Sequence, residues 1–192
     1  IRDNEGVNRY LGGGEESYGF LAEEFARDKD SVSAISLMAE CLAWAKDKGM
    51  SFMEMLQDIY VKYGFSREEG ISVVRPGKTG AEEIVAMMKE FRENPPKELG
   101  GSPVVIRKDY SDLNCTDTTT GKVENMDFPV TSNVLQFFTA DHTKVSIRPS
   151  GTEPKIKFYI EVHSKIADKS EYHAATEAAK AKIAGIRKEL GI

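Results

Sequence analysis

The chain has 192 residues, enough for one or two domains, and 40% of them are hydrophobic, which suffices for a real core. A formal charge of -5 with no run of basic residues argues against a nucleic-acid binder, so the partner of any basic loop is a small molecule. No stretch approaches the roughly 20 apolar residues needed to cross a membrane, and Cys41 and Cys115 lie far apart, outside any CxxC or His-rich spacing. With no signal peptide either, a reducing, cytoplasmic setting fits, without a disulfide framework or a zinc site. The chain opens at Ile1 with no Met and reads as part of something longer.

In chain order, Ile1 to Tyr18 reads as loop, ending in the glycines Gly12-Gly13-Gly14 and an acidic turn. Asp30 is a natural N-cap for a helix from Ser31 to Ala45 that is apolar nearly all round, which predicts burial. Ser51 with Glu54 forms a capping box for a second helix whose stripe Phe52, Met55, Leu56, Ile59 and Tyr63 stops at Gly64. A new unit follows. Ile71 to Val74 is a short strand, and Thr79 with Glu82 is a further capping box for a helix halted by Asn94-Pro95-Pro96. Strands are expected at Val104 to Lys108, Val134 to Phe138, Lys144 to Arg148 and Ile156 to Val162. The polar run Ser111 to Asp127 is a long loop or a frayed hairpin, and a last helix runs from about Ser170 to Leu190. The second unit is therefore α+β, with helices packed on one face of a mostly antiparallel sheet.

Chemistry concentrates in Arg148-Pro149-Ser150-Gly151-Thr152-Glu153-Pro154-Lys155-Ile156-Lys157, a short Gly-containing loop between two alternating strands. The two prolines carry no amide hydrogen and discourage further ladder pairing, which predicts that the amides of Ser150, Gly151 and Thr152 are free to face a ligand. Two hydroxyls, a guanidinium and one or two ammonium groups converging there suit a phosphate dianion. The same residues also suit a charged hairpin turn. In Gly14-Glu15-Glu16-Ser17-Tyr18-Gly19, Glu15 can accept from two neighbouring sugar hydroxyls while Ser17 makes a third bond, although a solvated acidic turn is the plainer alternative. Arg27-Asp28-Lys29-Asp30 reads equally as a helix cap with surface ion pairs. Arg75-Pro76-Gly77-Lys78-Thr79-Gly80 lacks the spacing of a nucleotide phosphate loop, and His142, His163 and His173 are too scattered for a catalytic triad.

Taken in order, these three motifs closely resemble the α-D-phosphohexomutases of the phosphoglucomutase/phosphomannomutase family, over essentially the whole chain. The resemblance implies residues 1–64 as the C-terminal part of an α/β domain three bearing the sugar loop, and residues 65–192 as the α+β domain four bearing the distal-phosphate loop. It implies that Glu15 and Ser17 grip sugar hydroxyls and that Lys29 sits at the substrate as a cation and candidate proton-transfer partner. Arg148, Ser150, Gly151, Thr152 and Lys157 would hold the non-reacting phosphate. The Glu-Glu-Ser form of the sugar loop looks like the glucose-preferring branch. The reaction implied is interconversion of hexose 1- and 6-phosphates through a phosphoserine and a bisphosphorylated sugar, with glucose 1,6-bisphosphate as activator. The family's phosphoserine and magnesium loops are not found here, so Mg2+ is expected in an absent N-terminal half, a partner within the same polypeptide. The chain alone is expected to be inactive and to hold no metal. Two alternatives stay open: a phosphopentomutase, and a non-catalytic sugar-phosphate-binding module.

Overall fold

The computed structural model describes residues 6–15, 19–23 and 28–192, which fall into two compact units, Ile1–Ile59 and Tyr60–Ile192. In the first unit, where a loop was expected, Gly13–Glu15 (β1) pairs antiparallel with Gly19–Leu21 (β2), with Gly13 opposite Leu21 and Glu15 opposite Gly19. The glycines permit it: a Cβ on Gly13 would lie 2.9 Å from the Tyr10 hydroxyl, which donates to Leu21 O at 2.9 Å. Asp30 caps Ser31–Asp47 (α1), its carboxylate accepting from Val32 N and Ser33 N, both at 3.0 Å.

The expected burial of α1 does not occur. Only Ala45 is buried, while Val32 is 72% exposed, Ile35 69% and Trp44 53%. A helix that is apolar all round needs cover on more than one side, and a two-stranded hairpin is too small to supply it. The capping box of Phe52–Tyr63 (α2) forms as expected, with Ser51 N donating to Glu54 Oε2 (2.7 Å) and Glu54 N to Ser51 Oγ (3.2 Å). Gly64 ends the helix in the left-handed region, φ +102°, where a side chain would be strained.

The second unit holds a sheet ordered β3-β10-β9-β8-β5-β6-β7. Its strands are Phe65–Val74 (β3), Ser102–Asp109 (β5), Asn114–Asp117 (β6), Val123–Asn125 (β7), Leu135–Thr139 (β8), Lys144–Pro149 (β9) and Lys155–Ser164 (β10), and the two-residue Glu98–Leu99 (β4) pairs with β5. All these pairings are antiparallel. β3 begins six residues before the expected strand and pairs along its length with β10, from Phe65–Ser164 to Val74–Lys155. Its polar start had concealed it: Ser66, Glu68 and Gly70 lie on the sheet's outer face, and an edge strand tolerates such residues.

Helices Gly77–Glu93 (α3) and Tyr172–Leu190 (α4) cover the other face. Ile84 and Met88 of α3, and Ala179, Ile183 and Ile186 of α4, pack with Val145, Ile147, Ile156, Phe158 and Ile160 of β9 and β10. Each Val, Ile, Phe or Met side chain among them taken from water contributes about 1.5 to 3 kcal/mol. The Thr79–Glu82 capping box is not formed. α3 starts earlier, after Pro76 and without a side-chain cap, and Gly80 lies so close to the Arg75 backbone that a Cβ would fall 1.9 Å from Arg75 O. The Ser111–Asp127 segment contributes the β6–β7 hairpin to the sheet.

Candidate functional site

The hairpin β9–β10 gives the Arg148–Lys157 segment its geometry. Buried Val145, Ile147, Ile156 and Phe158 fix which way each strand faces, so Arg148, Lys155 and Lys157 all fall on the outer face, away from the helices. Arg148 and Lys157 are direct cross-strand partners. Like charges placed opposite each other repel and destabilise a sheet unless an anion lies between them. Among the described residues no carboxylate pairs with Arg148.

The loop itself is partly self-bonded. Ser150 N–H donates to Lys155 O at 2.8 Å, so this amide is spent inside the hairpin and is not free as expected; only the Ser150 hydroxyl remains for a ligand. That hydroxyl oxygen accepts weakly from Thr152 N (3.4 Å) and Glu153 N (3.3 Å), bonds long enough to yield. Gly151 is exposed and a Cβ on it would meet nothing within 4 Å, leaving open space above the loop. Arg75 N–H donates to Pro154 O at 2.8 Å and ties the loop's far side to the end of β3.

Two residues not singled out as ligands stand beside these. Glu153 is bonded to Lys155, whose ammonium, with that of Lys157, holds the Glu153 carboxyl below its usual range. The sequence signal for Lys155 is the strand alternation, which puts it on the same face as Lys157. Two cavities, of about 550 Å³ at the C-terminal end of α3 and about 630 Å³ on the outer sheet face around Lys108, Phe138, His142 and His163, lie away from the loop. Among the described residues no group of three or more His, Cys, Asp or Glu is placed to hold a metal ion.

In the first unit, Glu15 ends β1 and Lys29 is exposed between β2 and the Asp30 cap, its amide donating to Asp28 Oδ1 at 2.7 Å. Ser17 and the side chain of Glu15 lie outside the described residues.

An antiparallel-sheet α+β unit with a cationic hairpin loop, preceded by a smaller unit with a glycine-rich hairpin, is the class that the fold and these segments define. The chain belongs to the phosphoglucomutase/phosphomannomutase family: residues 2–63 match its alpha/beta/alpha domain III, and residues 115–178 match its C-terminal domain. Phosphoglucomutase of Staphylococcus haemolyticus (strain JCSC1435) is 32% identical over 163 residues, 85% of this chain and 29% of that protein. Phosphoglucomutase of Staphylococcus aureus (strain USA300) is 37% identical over 153 residues, 76% of this chain and 26% of that protein. Among solved structures, the open form of the Paramecium exocytosis-sensitive phosphoprotein pp63/parafusin, a phosphoglucomutase, superposes with a TM-score of 0.53 over 92% of this chain and 29% of that one. At 18% identity it supports the fold alone. The chain spans less than a third of the length of these relatives. No helix among the described residues is long and apolar enough to cross a membrane.

Proposed function

We propose that this chain is the substrate-gripping part of a longer hexose-phosphate mutase, binding sugar hydroxyls through Glu15, Ser17 and Lys29 and the non-reacting phosphate through Arg148, Ser150, Gly151, Thr152 and Lys157. The observation that carries the phosphate part is the outward cross-strand pair of Arg148 and Lys157 at the base of a loop left open above Gly151. Two cations held side by side by the register suit a dianion, which can bond both. Residues 1–64 take the role of the sugar-binding domain and 65–192 that of the phosphate-binding domain. The Staphylococcus relatives named above are phosphoglucomutases, which favours a glucose phosphate.

The reaction we assign to the longer protein is reversible phosphoryl transfer between O1 and O6 of the sugar. A bisphosphorylated intermediate must then bind in two opposite orientations. The clamp suits that need, because a guanidinium, an ammonium and two hydroxyls recognise a phosphate irrespective of which sugar carbon bears it. Glu15 and Ser17 supply hydroxyl recognition, and Lys29 holds or moves a proton at the sugar. The described residues do not fit a magnesium ion, since no carboxylate cluster is arranged for one, and no step on this chain runs through it.

The reading is tested by titrating the 192-residue chain with glucose 6-phosphate and with glucose, followed by amide chemical shifts. Glucose 6-phosphate is expected to move resonances of Ser150 to Lys157, weakly and in a salt-sensitive way, and Arg148→Ala to abolish this. Equal responses to glucose and glucose 6-phosphate would overturn the phosphate assignment.

A further inference from the structure

We propose that Glu153 is a built-in counterion that competes with the substrate's phosphate for Lys155 and sets how readily the clamp lets go. The inference rests on the phosphate reading above and adds residues that it does not include.

The backbone of Glu153 is anchored on its carbonyl side, which accepts from Lys155 N at 2.8 Å, while its amide makes only the long bond to the Ser150 hydroxyl oxygen. From there its carboxylate pairs with the Lys155 ammonium, which lies along the same outer face as Arg148 and Lys157. Arg148, Lys155 and Lys157 share the outer face at the loop with the Glu153 carboxylate. Glu153 and the phosphate cannot both take Lys155 at close range without repelling each other, so arrival of one displaces the other. The Glu153 side chain is 60% exposed and that of Lys155 27%, so the carboxylate can swing into water while the cation stays.

The consequence suits an intermediate that must leave the clamp and return reversed. A loop in which no carboxylate stood against Lys155 would hold the phosphate more tightly and release it more slowly. With Glu153 present, a counterion replaces the phosphate as it departs, lowering the barrier to release. An exposed carboxylate–ammonium pair is a small interaction that water and salt screen, so the effect on affinity is about 2- to 10-fold.

The test compares glucose 6-phosphate binding by the intact chain with that by Glu153→Gln, Glu153→Asp, Lys155→Met, the Glu153→Gln/Lys155→Met double variant and Arg148→Ala, with thermal melts to confirm folding. Glu153→Gln should bind about 2- to 10-fold tighter, with a steeper salt dependence and slower dissociation. Glu153→Asp should restore near-normal behaviour, and the double variant should lose the gain because the effect runs through Lys155. A folded Glu153→Gln that binds no tighter, or a gain that persists without Lys155, would overturn the proposal while loss of binding in Arg148→Ala kept the phosphate site intact. Should Glu153→Gln not fold, Glu153→Ala takes its place: tighter binding than the intact chain supports the proposal, and binding no tighter overturns it. If neither the intact chain nor Arg148→Ala responds to glucose 6-phosphate, the phosphate reading falls and this inference with it.

Discussion

At the scale of single residues, Arg148 and Lys157 are geometric equals, directly opposite in register, but chemically unequal. A guanidinium can bond a phosphate bidentately, whereas an ammonium is a point charge. Arg148→Ala in an enzyme of the relatives' full length should therefore lower kcat/KM by about 30- to 1000-fold, roughly 2 to 4 kcal/mol, and Lys157→Ala by less, with folding unchanged because both face outward. Steady-state kinetics with glucose 1-phosphate would decide, and near-wild-type rates for folded Arg148→Ala would make the hairpin merely structural. Gly151→Ala separates space from conformation. Its φ is not in the left-handed region and a Cβ meets nothing within 4 Å, so melting temperature should hold while glucose 6-phosphate binding weakens. Strand alternation in the sequence is enough to put Arg148 and Lys157 on the outward faces of their strands, while their direct pairing is set by the hairpin register. The Ser150 amide was not readable in the same way, because whether an amide is free depends on which carbonyl the loop turns toward it, here Lys155 O.

At the scale of elements, α3 is fastened to the long segment after β5 by one cluster. Arg92 Nε donates to Asp109 Oδ2 at 2.8 Å and Arg92 Nη2 to Asn133 Oδ1 at 2.7 Å, while Asp109 also accepts from Ser111 N (3.0 Å) and Oγ (2.7 Å). Burial pushes the Asp109 carboxyl up, but the hydrogen bonds from Arg92 and Ser111 outweigh it and leave the group below its ordinary value. A depressed folded value means that the stabilisation is complete above the unfolded carboxyl range near pH 4 and is lost as pH falls below it. Asp109→Asn should then be less stable at neutral pH, by about 1 to 2 kcal/mol in denaturant melts, with the gap to wild type closing as pH drops from about 5 to 2. A constant gap would show that its charge is not what matters. Nothing in the local sequence pairs Arg92 with a residue 17 positions on, so this link was invisible, whereas the Ser51–Glu54 box was legible because both partners lie within one helical turn. The Thr79–Glu82 box had the same spacing and did not form. The helix starts at Gly77, before Thr79, with Gly80 packed against the Arg75 backbone five residues back, so one local arrangement took the place of another.

At the scale of the whole molecule, the two units differ in how far they satisfy their own hydrophobic residues. In Tyr60–Ile192 the alternation of β8, β9 and β10 and the stripes of α3 and α4 close on one another, which is why that fold could be anticipated from periodicity. In Ile1–Ile59 the apolar α1 implied burial, but nothing local to a helix records what its cover is or whether the same chain provides it. Val32, Ile35, Met38, Leu42 and Trp44 remain at least 47% exposed. An apolar patch of this kind binds dyes and other copies of itself. The purified 192-residue chain should therefore bind anilinonaphthalene sulfonate while keeping the cooperative melt of its second unit, and Trp44 should be quenched freely by acrylamide at concentrations where the chain is monomeric. Ile35→Lys with Trp44→Lys should remove the dye signal at little cost in stability, because neither side chain is buried here. Assayed with glucose 1-phosphate and a bisphosphate primer, the same chain should bind ligand but show no turnover, since the phosphoserine and magnesium loops that the family resemblance implies are not found in its sequence. A blue-shifted, quencher-protected Trp44 in the monomer would refute the exposed face, and measurable mutase activity would refute the division of labour that places phosphoryl transfer on another part of the enzyme.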